Sequence, residues 1–436
     1  MVLAISAMLL LGLLAIPASA GSDWIQFQNG SDKNGVTSEA GPTTATSTWE
    51  TYLGAGGWMG VDTVPVKKGD YTYTIVADGD LHKVSDSGYE VTTGNWPVEL
   101  QSGGNAFQNS VAAANESAIF VITTGYGSAP TLYAIDVDNG NILWSDTVGT
   151  SAYQCSCPIL YDKESDGDEM LYFGITRMGG GDPTNYTDDG TYYCYNAKTG
   201  SEVWNRTTLD NKGYYWAGAC SVGNYIVYGN DAGNVTLALK SDGTPVGSYN
   251  ISDEFGDNSE IRSTCVYYKD ASNNRIYFTA KSGTCYYVGL DYNPRTQVYS
   301  FNPSVNASNA NLSYSTSTPA IDITDGVVYV CAGTFSGGGG LYALSAGDLT
   351  EKWNHSGGGA QSSPVVSKDL VNNKNVIYYT TNEAQGTFFA IRDDGNACYE
   401  LFNYTPTNDN YILQGVAVSG GKAFFGNDDG YLIGVY

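Results

Sequence analysis

Histidine is almost missing from this chain: His82 and His355 are the 2 in 436 residues. Two imidazoles exclude a multi-histidine metal centre and leave little for histidine-based proton transfer. Charge is sparse, at 15% of residues, where an average soluble domain has about 25%. It is also one-sided, with Lys+Arg 20 against Asp+Glu 45 and a net charge of -25. Phosphate-rich surfaces repel such a protein, which argues against nucleic acid and anionic membrane faces as partners. Arginine, the residue best suited to clasp carboxylates, occurs six times: Arg177, Arg206, Arg262, Arg275, Arg295 and Arg392. Strong helix formers give way to Asn, Ser, Thr, 54 Gly and 35 Tyr. That mixture suits strands and turns and excludes a mostly helical protein.

The chain has one apolar run of note, Val2–Ile16, followed by Pro17 and the small residues Ala18-Ser19-Ala20. It falls short of the about 20 residues that span a bilayer. The pattern predicts a secretory signal peptide over residues 1–20, cleaved before Gly21, although no Lys or Arg precedes the run. No Cys follows the cleavage point to carry a lipid. The mature chain, 21–436, is therefore expected outside the cell or at its surface, without a membrane span. Export makes disulfides expected among Cys155, Cys157, Cys194, Cys220, Cys265, Cys285, Cys331 and Cys398. Eight cysteines allow 105 pairings, and spacing does not choose among them. Asn-x-Ser/Thr acceptors for glycosylation stand at Asn29, Asn115, Asn185, Asn205, Asn234, Asn250, Asn306, Asn311, Asn354 and Asn403.

A unit of roughly fifty residues recurs along the chain. It reads as an apolar strand often holding Pro, a Tyr/Val-rich strand, a strand ending near Ala-x-Asp, and a strand carrying Trp. One copy is Ser317-Thr-Pro-Ala-Ile321, Val327-Val-Tyr-Val330, Gly340-Leu-Tyr-Ala-Leu344 and Glu351-Lys-Trp353. First strands fall near Pro65, Ala112, Pro158, Cys220, Cys265, Pro319, Pro364 and Val416. Such units cannot cover their own sheet faces, so they stack, and closing the ring removes the exposed ends. The prediction is an all-β fold, a β-propeller of eight four-stranded blades in one domain. The last unit lacks its Trp strand, and Thr46-Ser-Thr-Trp-Glu-Thr-Tyr-Leu53 is expected to supply it and close the ring.

The segments Asn196-Ala-Lys-Thr-Gly-Ser-Glu-Val-Trp204, Ile135-Asp-Val-Asp-Asn-Gly-Asn-Ile-Leu-Trp144 and Leu341-Tyr-Ala-Leu344 resemble the repeat of quinoprotein-like (PQQ-repeat) propellers. The opening Trp24-Ile-Gln-Phe27 with Asn34-Gly35 is similar to the start of secreted archaeal and bacterial surface members. The resemblance implies that Trp96, Trp144, Trp204 and Trp353 dock between blades. It also raises the quinone cofactor PQQ. The adjacent-cysteine pair of the longer quinoprotein dehydrogenases is absent, and neither His82 nor His355 lies in the motif of the soluble sugar-dehydrogenase type. Both histidines are expected as exposed strand residues, and PQQ binding is not expected.

Other candidates rest on local chemistry. Asp162, Glu164, Asp166 and Asp168 alternate around Gly167 like the start of a Ca²⁺-binding loop, but the twelfth position is Phe173 where such a loop needs Glu. Calcium is the one metal left open there, against a solvated acidic turn. Cys157, Cys220 and Cys265 fall at like places in successive first strands and are expected near one another. Gly337–Gly340 and Gly179–Gly181 are expected as hairpin loops, and the Tyr192-Tyr193, Tyr214-Tyr215 and Tyr286-Tyr287 pairs as sugar-stacking or packing groups.

No catalytic constellation emerges, and no cofactor is required. The sequence favours a secreted, non-catalytic propeller acting as a structural or interaction protein of the cell envelope, in a surface layer, sheath or adhesion role. Its partners would be proteins, by self-assembly or with other envelope components, or surface glycans. The alternative is an extracellular quinone- or calcium-dependent oxidoreductase. A periplasmic scaffold like the outer-membrane assembly lipoprotein of this fold is disfavoured by the missing lipid-bearing Cys.

Overall fold

The computed structural model describes residues 23–54, 60–101, 112–124, 128–164, 166–178, 187–369 and 371–436. The expected signal peptide, Asn185 and Gly179–Gly181 lie outside the described residues. Eight antiparallel sheets follow one another along the chain as the blades of a propeller. Their innermost strands are Val66–Lys68, Ala113–Ala114, Leu160–Lys163, Ala219–Val222, Val266–Lys269, Ala320–Asp322, Val365–Asp369 and Ala417–Ser419, which number blades 1 to 8. Each lies close to the first strand read from the sequence. Blade 3 carries an extra short strand, Tyr153–Gln154, paired to Glu169–Met178 beside its inner strand. The one described α-helix is Ile251–Phe255, after the outer strand of blade 4. Among the described residues no helix is long and apolar enough to cross a membrane.

The side-chain pattern follows from this packing. Second strands are covered on both faces by neighbouring blades, so Ala118–Ile122 and Tyr225–Gly229 are buried at every position. Outer strands such as Ile142–Thr147 meet solvent along most of their length. Tryptophans of the outer strands join the seams. Trp144 Nε1 in blade 2 donates to the Ala197 carbonyl in the next blade at 3.1 Å, and Trp204 Nε1 donates to the Lys240 carbonyl at 2.7 Å. Trp353 Nε1 reaches Asp393 Oδ1 at 3.0 Å. Trp144 lies so close over Gly200 that a Cβ there would stand 2.5 Å from the indole, and Gly243 meets Trp204 at the same distance. Trp96 packs likewise near Gly140 of blade 2. The Thr-Gly of the repeat is therefore the receptor for the neighbour's Trp.

The strand Thr48–Tyr52 closes the ring, pairing antiparallel with Tyr431–Val435 as the outer strand of blade 8. Its Trp49 Nε1 donates to the Asp86 carbonyl of blade 1 at 3.1 Å, which repeats the seam contact. Glu50 accepts hydrogen bonds from Tyr404, the Thr407 amide and Asn408 on the segment leaving blade 7. These bonds hold its carboxyl below the usual range although burial opposes them.

The opening segment does something the sequence did not announce. Residues 24–40 run once around the axis and bond each inner strand in blade order. Trp24 exchanges backbone hydrogen bonds with Lys67, and the Ile25 carbonyl accepts from the Ala114 amide. Gln26 takes the Tyr161 amide on its side-chain oxygen. The carbonyls of Ser31, Asp32, Asn34, Gly35 and Ala40 then accept from the amides of Ser221, Tyr267, Ile321, Val366 and Gly421. Polar backbone at the inner edges, which water would otherwise have to satisfy, is thereby paired.

Two further differences concern glycine and histidine. Gly337–Gly340 begins a strand, Gly337–Ser345, instead of forming a loop. A Cβ at Gly340 would lie 2.0 Å from the His355 carbonyl oxygen, so the run lets backbones approach. His82 and His355 are not exposed. His82 is 4% exposed, and His355 sits between Tyr379 and Glu400 at 2.7 and 3.0 Å.

Closure by an aromatic over glycine makes a direct prediction. A Cβ at Gly434 would lie 2.4 Å from Trp49 Cε2, whereas one at Gly347 meets nothing closer than 3.5 Å. Gly434→Ala is expected to destabilise the fold by about 1–3 kcal/mol. Gly347→Ala should leave it nearly unchanged. Denaturant unfolding of both variants measures this, and equal effects would refute the closing role.

Candidate functional site

Propellers bind ligands at the axis, so the two mouths of the channel come first. The circling segment occupies the end where the inner strands finish. There Lys33 is buried, its Nζ donating to Gln26 Oε1 at 2.7 Å and to the Phe27 carbonyl at 3.1 Å. Both acceptors are neutral, and burial lowers its pKa from 10.5 to about 7 despite the pull of Asp32. An open groove of about 510 Å³ on this face is lined by Asp23, Lys68, Glu116, Asp162 and Lys163 among others. Charges of both signs line it, so it selects no ionic class of ligand.

The other mouth is built from residues that precede the inner strands: Pro158, Arg262, Thr318, Ser363 and Gln414, with Trp216 at the side and Phe27 of the circling segment beneath. The space between them for a water-sized group is about 20 Å³, room for about one water molecule. Arg262 is the one cation among these described lining residues, and it is committed. Its Nε and Nη2 donate to Asp231 Oδ1 and Oδ2 at 3.2 and 3.0 Å, and its guanidinium lies 4.6 Å from the Tyr215 ring centre. Asp62, also buried, has its carboxyl pushed well up by burial and by Asp428. An anionic quinone would need cationic or N–H donors here. Among the described residues the mouth offers one spent guanidinium and little room, which do not fit PQQ.

The acidic turn is arranged for structure. Asp162 pairs with Lys240 and accepts from Ser221 Oγ at 3.0 Å. Glu164 shares the same ammonium at 3.0 Å. Asp166 Oδ1 takes the Asp168 amide at 3.1 Å, an internal turn bond. Lys240, in the turn of blade 4, thus converts half of the set into a seam contact between blades 3 and 4. Among the described residues the one trio of His, Cys or carboxylate ligands within 4.8 Å of one another is Asp78, Asp80 and His82, in blade 1. The sequence reading missed it, because it took His82 for a surface residue. The signal was there in Asp78-Gly79-Asp80-Leu81-His82, where a turn and a two-residue strand period bring three donors to one side.

The eight cysteines form no disulfide. That expectation came from the compartment; the fold buries seven of the sulfurs as thiols and leaves Cys398 partly exposed. Cys157, Cys194, Cys220, Cys265, Cys285 and Cys331 are buried, and burial raises every one of these thiols, Cys157, Cys194 and Cys285 to about 12. Cys155 is buried as well, and Cys398 alone is partly exposed. Cys220 and Cys265 do lie near enough to interact, as their positions implied. A protonated thiol is a poor nucleophile and a poor metal ligand.

The tyrosine pairs are packing groups. Tyr192 stacks on Tyr228 with ring centres 4.0 Å apart, and Tyr214 meets Tyr192 edge-on. The glycosylation acceptors divide by position. Asn205, Asn354 and Asn403 are exposed on outer strands, each donating to a Glu three residues earlier at 2.7 Å. Asn306 and Asn311 belong to the rim of blade 5, with Asn311 exposed. Asn29, Asn115, Asn234 and Asn250 spend their side-chain amides on internal bonds.

Two outcomes follow. A thiol reagent should modify Cys398 in the folded protein, while Cys220, Cys285 and Cys331 should react only on denaturation; prompt labelling of those three would contradict the burial. Lys33 carries the second. The unfolded chain holds its proton more tightly than the folded one, so this group's contribution to stability rises with pH from about 7 to 10.5 and is constant below. The melting temperature of the wild type relative to Lys33→Met should climb across that window, and a flat difference would refute it.

The family profile described as "Outer membrane protein assembly factor BamB" matches residues 38–322. Among solved structures, quinohemoprotein alcohol dehydrogenase ADHIIG from Pseudomonas putida HK5 superimposes with a TM-score of 0.66 at 12% identity, covering 94% of this chain and 75% of that one. BamB from Moraxella catarrhalis gives 0.56 at 14% identity, covering 90% and 99%. A europium-containing methanol dehydrogenase gives 0.61 at 12%, covering 95% and 89%. At these identities the likeness is one of fold. No curated protein matches the sequence. The repeat, the eight blades and the profile agree, and the chain belongs to the BamB-type family of PQQ-like β-propellers.

Proposed function

We propose that this protein is a non-catalytic propeller of the cell envelope that works through its outer surface, binding copies of itself or other envelope proteins. The observation that carries the reading is the axial mouth. Its one described cation is locked to Asp231 within about 20 Å³ of space, a poor place for an anionic cofactor. With the other end circled by residues 24–40, the surface left for recognition is the rim. Outer strands there present Ile142, Leu143, Val203 and Val246 at 45–50% exposure, beside edge backbone able to accept another strand. Exposed Asn205, Asn354 and Asn403 would carry glycans on the same rim. The BamB description of the matching family supports an interaction role.

Native mass of protein taken from its own envelope tests this. Assemblies larger than one chain are the expected result. A monodisperse monomer that reduces a dye with an alcohol after PQQ and Ca²⁺ are added would overturn the proposal.

A further inference from the structure

Away from both channel mouths, a buried imidazole nitrogen stands beside two carboxylates with no hydrogen-bond partner. His82 lies in the third strand of blade 1, Asp80–Ser85, and is 4% exposed. Its Nδ1 is held by Glu90 Oε1 at 2.6 Å, while its Nε2 is buried without a hydrogen-bond partner. A carboxylate on Nδ1 keeps the proton on that nitrogen and leaves the Nε2 lone pair outward, the arrangement of a carboxylate–histidine–metal relay. Asp80 shares the face of His82 by the two-residue period of the strand. Asp78 joins them across the turn at Gly79, whose φ of 95° only glycine adopts easily. One ligand atom from each of the three lies within 4.8 Å of the others. Since Glu90 occupies Nδ1, Nε2 is the imidazole atom left for the cluster. Two half-buried carboxylates side by side repel, and Asp78 with burial raises the Asp80 carboxyl.

We propose that Asp78, Asp80 and His82 bind a divalent first-row transition ion of the Zn²⁺ type, with Glu90 positioning the imidazole. Two carboxylates and a neutral imidazole balance a 2+ charge, and three protein donors leave a position for water. Ca²⁺ is disfavoured, since it takes six to eight oxygen ligands and no imidazole. The site touches the closing seam: a Cβ at Gly54, just past the closing strand, would stand 3.2 Å from Asp78 Oδ2. An ion there ties the turn of blade 1 beside the ring's last strand, so binding should also raise the melting temperature.

The test is calorimetric titration of the chelator-stripped full chain with Zn²⁺, Mn²⁺ and Ca²⁺ separately, together with melting curves and Co²⁺ absorption. Expected are uptake of one Zn²⁺ per chain, a higher melting temperature, and d–d bands from bound Co²⁺. Glu90→Gln should weaken Zn²⁺ binding by about 10- to 100-fold. Asp78→Asn, at a half-exposed position, should weaken it further; its circular dichroism and ion-free melting check the fold. His82→Gln should abolish it. No Zn²⁺ uptake by the wild type, wild-type affinity in a folded Asp78→Asn, or Ca²⁺ binding as tightly as Zn²⁺ would each overturn the assignment.

Discussion

Blade seams of this protein are joined by an indole reaching across from one side, at Trp49, Trp96, Trp144, Trp204 and Trp353. Trp144 and Trp204 lie on Gly200 and Gly243 and donate to the carbonyls beside them. A large aromatic contributes buried area, and its N–H fixes where that area must go. At four of these seams the receiving turn presents glycine at the contact, Gly88, Gly140, Gly200 and Gly243, while Trp353 donates to the Asp393 carboxylate. Substituting either partner opens a seam, and opening a seam exposes second strands buried on both faces. The Trp–Gly spacing of the repeat is an inter-blade constraint written as an intra-blade motif.

The axis is governed by a different constraint. Inner strands end in unpaired backbone groups around a narrow channel, and water alone would satisfy them at the cost of a wet core. The circling segment supplies those bonds from residues 24–40, and brings a lysine amine into the middle of the molecule. Here the described axial cation is already paired, and Phe27 lines the same mouth. Any chemistry at the axis depends on a handful of side chains that the repeat does not specify.

The ring was legible because its signals are local and periodic. Strand length, the Trp and the Thr-Gly recur, so the eight inner strands and the closing strand near Trp49 could be placed from residues alone. The circling segment was not legible, since Ile25, Ser31 and Asn34 bond partners up to hundreds of residues away and use backbone atoms that every residue has. Cysteine misled because compartment says nothing about geometry: the fold leaves all eight as thiols. His82 misled for a related reason. A strand with polar Asp80, His82 and Lys83 looks like a surface strand, yet the neighbouring blade covers it and leaves its ring nitrogen among carboxylates.

The circuit made by residues 24–40 changes what kind of object the repeats build. In an open array each unit touches only the units beside it, and stability is a sum of neighbouring terms that can be lost from an end. Here one short stretch of backbone is shared by all eight units, like a drawstring. Loosening any blade slackens its grip on the others, so unfolding has no natural starting end and partial rings are poorly populated. The assembly should lose its structure as one cooperative body, with the chain's first described residues committed only once its last strands have been made.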